Sequence, residues 1–191
     1  MNNTINSISF QANVKDSTKL LNPEKMKKVA ELVKKGTKDI PNETLYITKA
    51  PNDVFSLHIS NEKSGDFYVG AEIFIEGLDK QLQNASESDF AKKLINAIKA
   101  FKLQKVNSSK FVDLKSNIQT TKEQYVANTA KASAWRADNK PQFAKRYEVL
   151  ALRNKERFEN LTKELNGRVE SYYKKMDNLS KEFPEIQNIV W

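Results

Sequence analysis

From residue 111 to residue 182 the chain repeats its apolar residues at helical spacing and carries no strand signal, and this constrains the fold more than any other feature. Phe111, Ile118, Tyr125 and Ala132 lie seven apart, and Leu114, Thr121, Asn128 and Trp135 form the second row of the heptad. A seven-residue repeat keeps one helical face turned toward a partner helix, which is what coiled-coil packing requires. Half of the second row is polar, so the seam is weak. Asp138-Asn139-Lys140-Pro141 interrupts the pattern, because proline disfavours helix at the residue before it. Phe143, Tyr147, Leu150, Phe158, Leu161, Leu165, Val169, Tyr172, Met176 and Leu179 continue it until Phe183-Pro184 ends the run. Asn166-Gly167 is a place for a bend. Two helices joined by so short a turn are expected to form an antiparallel, coiled-coil-like helical hairpin over 111–183. Residues 184–191 are left as a C-terminal tail.

The region 1–106 reads differently, as an α+β domain. Ile8, Phe10, Ala12 and Val14 alternate with polar neighbours, the period-2 pattern of a half-buried strand. Asn22-Pro23-Glu24 opens a helix over about 23–35: Asn caps, Pro suits the first helical position and Glu suits the positive end. Lys34-Lys35-Gly36 closes it with cations and a left-handed glycine cap. Residues 44–49, 53–60 and 66–76 then alternate as three strands. Matching their apolar faces pairs Ile59 with Phe67, Leu57 with Val69 and Phe55 with Ala71, which sets His58 opposite Tyr68 and Val54 opposite Glu72. Gly77 ends the sheet segment. Ser86 or Ser88 caps a helix to about 105, with Phe90, Leu94, Ala97, Ile98 and Phe101 as its stripe. Asn107-Ser108-Ser109 reads as a break before the hairpin. The expected fold is therefore α+β: a small antiparallel β-sheet with two packed helices, followed by the hairpin.

The order helix, three strands, helix between 23 and 105 resembles double-stranded-RNA-binding domains in sequence of elements alone. Members of that family open the second helix with a glycine-rich loop and a basic Lys-Lys motif that grips phosphates. Here the corresponding start, Ala85-Ser86-Glu87-Ser88-Asp89, is acidic, Lys92-Lys93 comes a turn later, and a leading strand precedes the first helix. No family residue maps onto this chain.

Composition removes several chemistries. With no Cys there is no disulfide, thiolate nucleophile or thiolate metal site, and with His58 as the one imidazole no histidine-rich metal centre can form. No cofactor and no metal are expected. Glu72 and Glu76 sit four residues apart on one strand, about 13 Å, beyond paired-carboxylate range. An acid–base role for His58, oriented by Glu72 with Tyr68 as second donor, ranks third among the functional readings.

Charge is more informative. The chain carries a net +8, yet residues 1–77 hold ten lysines against ten carboxylates, so the excess belongs to 78–191. Lys92, Lys93, Lys99, Lys102 and Lys105 fall in a stretch with no acid between Asp89 and Asp113. Such a face suits phosphates, nucleic-acid backbone or another anion. Lys outnumbers Arg 27 to 5, which weakens that reading, because nucleic-acid recognition favours the guanidinium fork. The leading expectation is non-catalytic: protein interaction or assembly, including self-association, through the hairpin, with Tyr147, Leu161, Tyr172 and Tyr173 as the partner surface. Nucleic-acid binding by the lysine face is the alternative. The N-terminus has neither basic nor apolar signal character, and no apolar run spans a bilayer, so a cytoplasmic protein without integral membrane association is expected.

Overall fold

The computed structural model describes residues 12–40, 43–49, 54–61 and 67–188. Its elements are β1 (Asn13–Asp16), α1 (Pro23–Gly36), β2 (Glu43–Lys49), β3 (Phe55–Asn61), β4 (Phe67–Ile75), α2 (Leu78–Gln83), α3 (Glu87–Ala137), α4 (Pro141–Ser180) and a closing 3-10 turn, Pro184–Asn188. They divide into two compact units. One holds residues up to Leu103 together with those from Lys175 onward; the other is Gln104–Lys174. The architecture is α+β with a C-terminal helical hairpin.

The sheet has the order β1-β2-β3-β4 and is mixed rather than wholly antiparallel. β1 pairs parallel to β2, with Val14 opposite Leu45 and Lys15 opposite Tyr46. The reason is the connection: α1 carries the chain back across the sheet, so β2 starts from the same end as β1. Of the leading strand read over 8–14, residues 8–11 lie outside the described residues, while Ala12 and Val14 are buried. The other two pairings are antiparallel.

The β3–β4 register differs from the one expected. Phe55 pairs with Ile75, Leu57 with Ile73 and His58 with Glu72, and an irregularity between His58 and Ser60 sets Ser60 opposite Phe67. Expected and observed registers differ by four residues in the regular part. Shifts of even size keep every apolar residue on the same face, so alternation alone does not separate them. Core packing does, because this register carries Ile73 and Ile75 into full burial beside Leu57 and Phe55.

That face, with Leu45, Ile47 and Ile59, joins one core with Val29 and Val33 of α1 and Phe90, Leu94, Ala97, Ile98 and Phe101 of α3. Phe183 and Ile186 belong to the same core, so the part of the expected tail that is described, 184–188, is packed structure. α1 is capped as its sequence requires: the Asn22 side chain accepts the Lys25 N–H at 2.8 Å, and Pro23 takes the first turn. Gly36 does not supply a left-handed cap. It is helical, and a Cβ there would stand 2.4 Å from Ile95 Cδ1, so glycine serves close approach of α1 to α3. Among the described residues the left-handed glycine is Gly77 (φ 63°), which leads into α2, a short helix not expected from the sequence.

No break occurs at Asn107-Ser108-Ser109. α3 runs unbroken over 51 residues, and Ser108 Oγ donates to the Lys105 carbonyl at 3.0 Å within the helix. Asn and Ser are weak helix formers without the steric block of proline, and neighbouring turns carry them. Asn166-Gly167 likewise lies inside α4. The hairpin turn uses Asn139 at φ 54°, with Lys140 N–H donating to Trp135 O and Asn139 N–H to Arg136 O, the two bonds of a Schellman closure. Pro141 then starts α4 at the position where its missing N–H costs nothing.

Candidate interaction surface

On the non-core face of the sheet the register lines up Lys15, Tyr46, His58 and Glu72 as one row across all four strands. The Tyr46 and His58 rings stack at 5.1 Å and 7°, and Lys15 Nζ lies 5.4 Å from the Tyr46 centroid. Thr48 Oγ1 and Ser56 Oγ share a hydrogen bond of 2.6 Å in the next row. The strand pairing thus sets Glu72, not the expected Tyr68, opposite His58. The side chains of residues 61–72 lie outside the described set, so the row is a statement of register. The aromatic stack is what cross-strand pairing on a half-open face produces.

The lysine face of α3 is only partly available to a ligand. Lys93 Nζ donates to Gln81 Oε1 at 2.9 Å and lies 5.5 Å from the Phe183 ring centroid. Lys102 Nζ donates to the Asp39 carbonyl at 3.1 Å. Both therefore tie α3 to its neighbours. Lys92 and Lys105 are exposed and Lys99 is half-buried. Lys25 bonds the Ala85 carbonyl, Lys28 faces Glu87 at 4.0 Å, Gly36 meets Ile95 and Lys102 meets Asp39, so α1 and α3 run side by side in the same direction. A groove of about 490 Å³ between them is lined by Lys28, Glu31, Leu32, Lys35, Glu87 and Ser88, two cations against two carboxylates. That balance does not favour a polyanion.

In the hairpin, both expected heptad rows of α3 face the seam. Phe111, Leu114, Ile118, Thr121, Tyr125, Asn128, Ala132 and Trp135 are all buried or half-buried. α4 answers with Ala144, Ala151, Phe158, Leu165 and Tyr172 in one row, and Tyr147, Asn154, Leu161 and Arg168 in the other. Two expectations for α4 are corrected here. Phe143 and Leu150 lie one position off the seam and are exposed, at 44% and 37%; the small Ala144 and Ala151 take the buried positions. Near the turn the helices meet through Ala132, Ala144 and Ala151, and alanine lets backbones approach where larger side chains would hold them apart.

Three of the four residues expected to form a partner surface serve the hairpin itself. Tyr172 packs edge-on against Phe111, with centroids 5.9 Å apart. Burial, with the neighbouring Tyr173 phenol adding to it, pushes the Tyr172 hydroxyl above the ordinary tyrosine pKa. Tyr147 lies under Lys131 Nζ at 5.5 Å, and Leu161 is half-buried in the seam. Tyr173 alone is open, at 66% exposure.

Three other exposed apolar residues share its phase relative to the seam. Val112 (66% exposed), Val126 (57%) and Leu152 (58%) each follow a seam residue by one position, as Tyr173 follows Tyr172. In antiparallel helices the position after the seam turns to the same side of the pair, so these four share one broad face. On this face a groove of about 330 Å³ opens near the turn, lined by Tyr125, Ala132, Ala151 and Leu152 and rimmed by the Arg136–Glu148 ion pair and Lys155. Periodicity located the seam but passed over this set, because isolated valines beside a stronger stripe carry no pattern of their own.

Among the described residues no group of three or more His, Asp or Glu side chains is placed to hold a metal ion, and no helix is long and apolar enough to cross a membrane. Compared with known proteins, the chain matches no family model, no curated protein and no solved structure.

Proposed function

We propose that this is a non-catalytic assembly protein whose helical hairpin pairs with a second copy of itself. The observation that carries the reading is the groove face: four large apolar side chains, Val112, Val126, Leu152 and Tyr173, stand more than half exposed on one side of a two-helix layer. Two helices bury one stripe each and leave their broad faces wet, and a row of exposed apolar residues there marks an interface. Face-to-face pairing of two such hairpins gives a four-helix bundle. The rim supports a two-fold arrangement, since Arg136 and Lys155 stand beside Glu148 and the same patch carries both signs. The lysine face of α3 is the weaker site, because Lys93 and Lys102 are already engaged.

Light scattering of the full chain at tens of micromolar is expected to give twice the chain mass. Val126→Glu with Leu152→Glu is expected to return it to the single-chain mass with an unchanged far-ultraviolet helix signal, since both positions are exposed. A single-chain mass before and after substitution would sink the proposal.

A further inference from the structure

We infer that the opposite side of the hairpin binds an acidic amphipathic helix of a different protein. The residues one position before the seam on α4 are Phe143, Arg146, Leu150, Arg153 and Arg157. By the same rotation argument they turn away from the groove face, together with Gln124 and Lys131 of α3. Their order is itself periodic. Phe143, Leu150 and Arg157 are seven apart, Arg146 and Arg153 are seven apart, and the two rows are offset by three.

Arg146, Arg153 and Arg157 are exposed, and none makes a hydrogen bond or ion pair among the described residues. The other two arginines of the chain are both paired, Arg136 with Glu148 and Arg168 with Glu164. On this side the one nearby carboxylate is Glu156, three residues after Arg153, and none of the three arginines is paired with it. Elsewhere α4 alternates its signs closely, as at Lys155–Glu159 and Glu164–Arg168. Three open guanidinium groups over twelve residues therefore form a ridge about 16 Å long.

Two features choose the occupant. The first is charge: three exposed, unpaired arginines against one flanking carboxylate, Glu156, leave the ridge net positive, and guanidinium forks engage carboxylates in pairs. The second is Phe143 and Leu150, seven residues apart and partly exposed, with the Phe143 ring resting on Trp135 at 5.1 Å, at the spacing a third helix requires to stay in register. A phosphate backbone has no use for that row; a helix with apolar residues at one heptad position and Glu or Asp beside it uses both features. A second copy of this chain fits poorly, because its own helices offer no acidic face of that length. The inference is independent of self-pairing through the groove face, since the two surfaces share no residue.

The test uses the full chain and a fluorescent synthetic peptide of about four heptads, with Leu at its core positions and Glu flanking them, so that Glu repulsion keeps the peptide from pairing with itself. Fluorescence anisotropy is expected to show binding that weakens at least tenfold with Arg153→Glu plus Arg157→Glu and falls as salt is raised. The same peptide with Gln in place of Glu is expected to bind at least tenfold less tightly. Lys27→Glu with Lys34→Glu, which removes equal charge from exposed positions of α1, is expected to leave binding unchanged.

Several results would overturn the inference: absence of binding, indifference to the arginine substitutions, or equal loss in the Lys27/Lys34 variant. Duplex RNA bound as tightly and lost with the same arginines would move the surface to nucleic acid. A halved mass of the chain alone on substituting those arginines would assign the ridge to a second copy. Unchanged circular dichroism in each variant keeps these outcomes separate from unfolding.

Discussion

Gly36 shows how a single side chain's absence can be dictated from across the core. Its backbone is ordinary helix, and alanine there should gain helix propensity of about 1 kcal/mol. The new Cβ, however, would press on Ile95 Cδ1 at 2.4 Å, and overpacking costs about 1–3 kcal/mol. Gly36→Ala is therefore expected to destabilise the chain by about 1 kcal/mol in urea unfolding, and to become neutral or stabilising in an Ile95→Val background that removes the clashing methyl. Additive effects of the two changes would refute the steric account. Tyr172 gives a prediction in pH. Its folded-state pKa is raised by burial and by Tyr173, so its stabilising contribution is complete below the ordinary tyrosine range. As pH rises through that range the unfolded chain releases its proton first, and stability declines. Tyr172→Phe is expected to flatten the fall in unfolding free energy between about pH 9 and 11, relative to the parent protein. An identical slope in both would remove the tyrosine from the explanation.

At the scale of elements, the phase of the α4 seam is the point where residue size misled and geometry decided. Large apolar side chains at 143 and 150 outweigh Ala144 and Ala151 in any hydrophobicity pattern, yet the alanines are the buried ones. Ala144→Leu is expected to cost about 1–3 kcal/mol by forcing the helices apart near the turn. Leu150→Ala, at an exposed position, is expected to cost less than about 1 kcal/mol. Denaturant midpoints measured on the two variants would place the seam elsewhere if that order were reversed. The two halves of the α3 expectation fared differently for a physical reason. Ser86 is where the helix begins, because Ser86 Oγ accepts the Asp89 N–H at 3.1 Å and the cap is a local bond. The expected end near residue 105 does not occur, because Asn107-Ser108-Ser109 lowers helix propensity without forbidding helix. Continuation there depends on turns and packing on either side.

At the scale of the whole molecule, the C-terminal segment is what ties sequence ends to one core. Phe183 and Ile186 are fully buried among sheet and α3 residues more than eighty positions earlier in the chain. Phe183→Ala is expected to lower unfolding free energy by about 3–5 kcal/mol and to broaden the spectrum of core methyl groups in the sheet unit. A loss under about 1 kcal/mol would show that Phe183 does not anchor this part of the chain in the core. The α+β class, the strands, the core faces of α1 and of the first turns of α3, the N-caps at Asn22 and Ser86 and the two-helix hairpin were legible in the sequence alone. They follow from periods of two, 3.6 and seven residues and from side chains acting on their own backbone neighbours. Tertiary structure decided the parallel placement of β1, the choice among even β3–β4 registers, the alanine phase of the seam and the burial of Phe183. Each of those compares alternatives that local pattern leaves equal, and only partners distant in sequence, competing for the same core volume, make one of them lower in free energy.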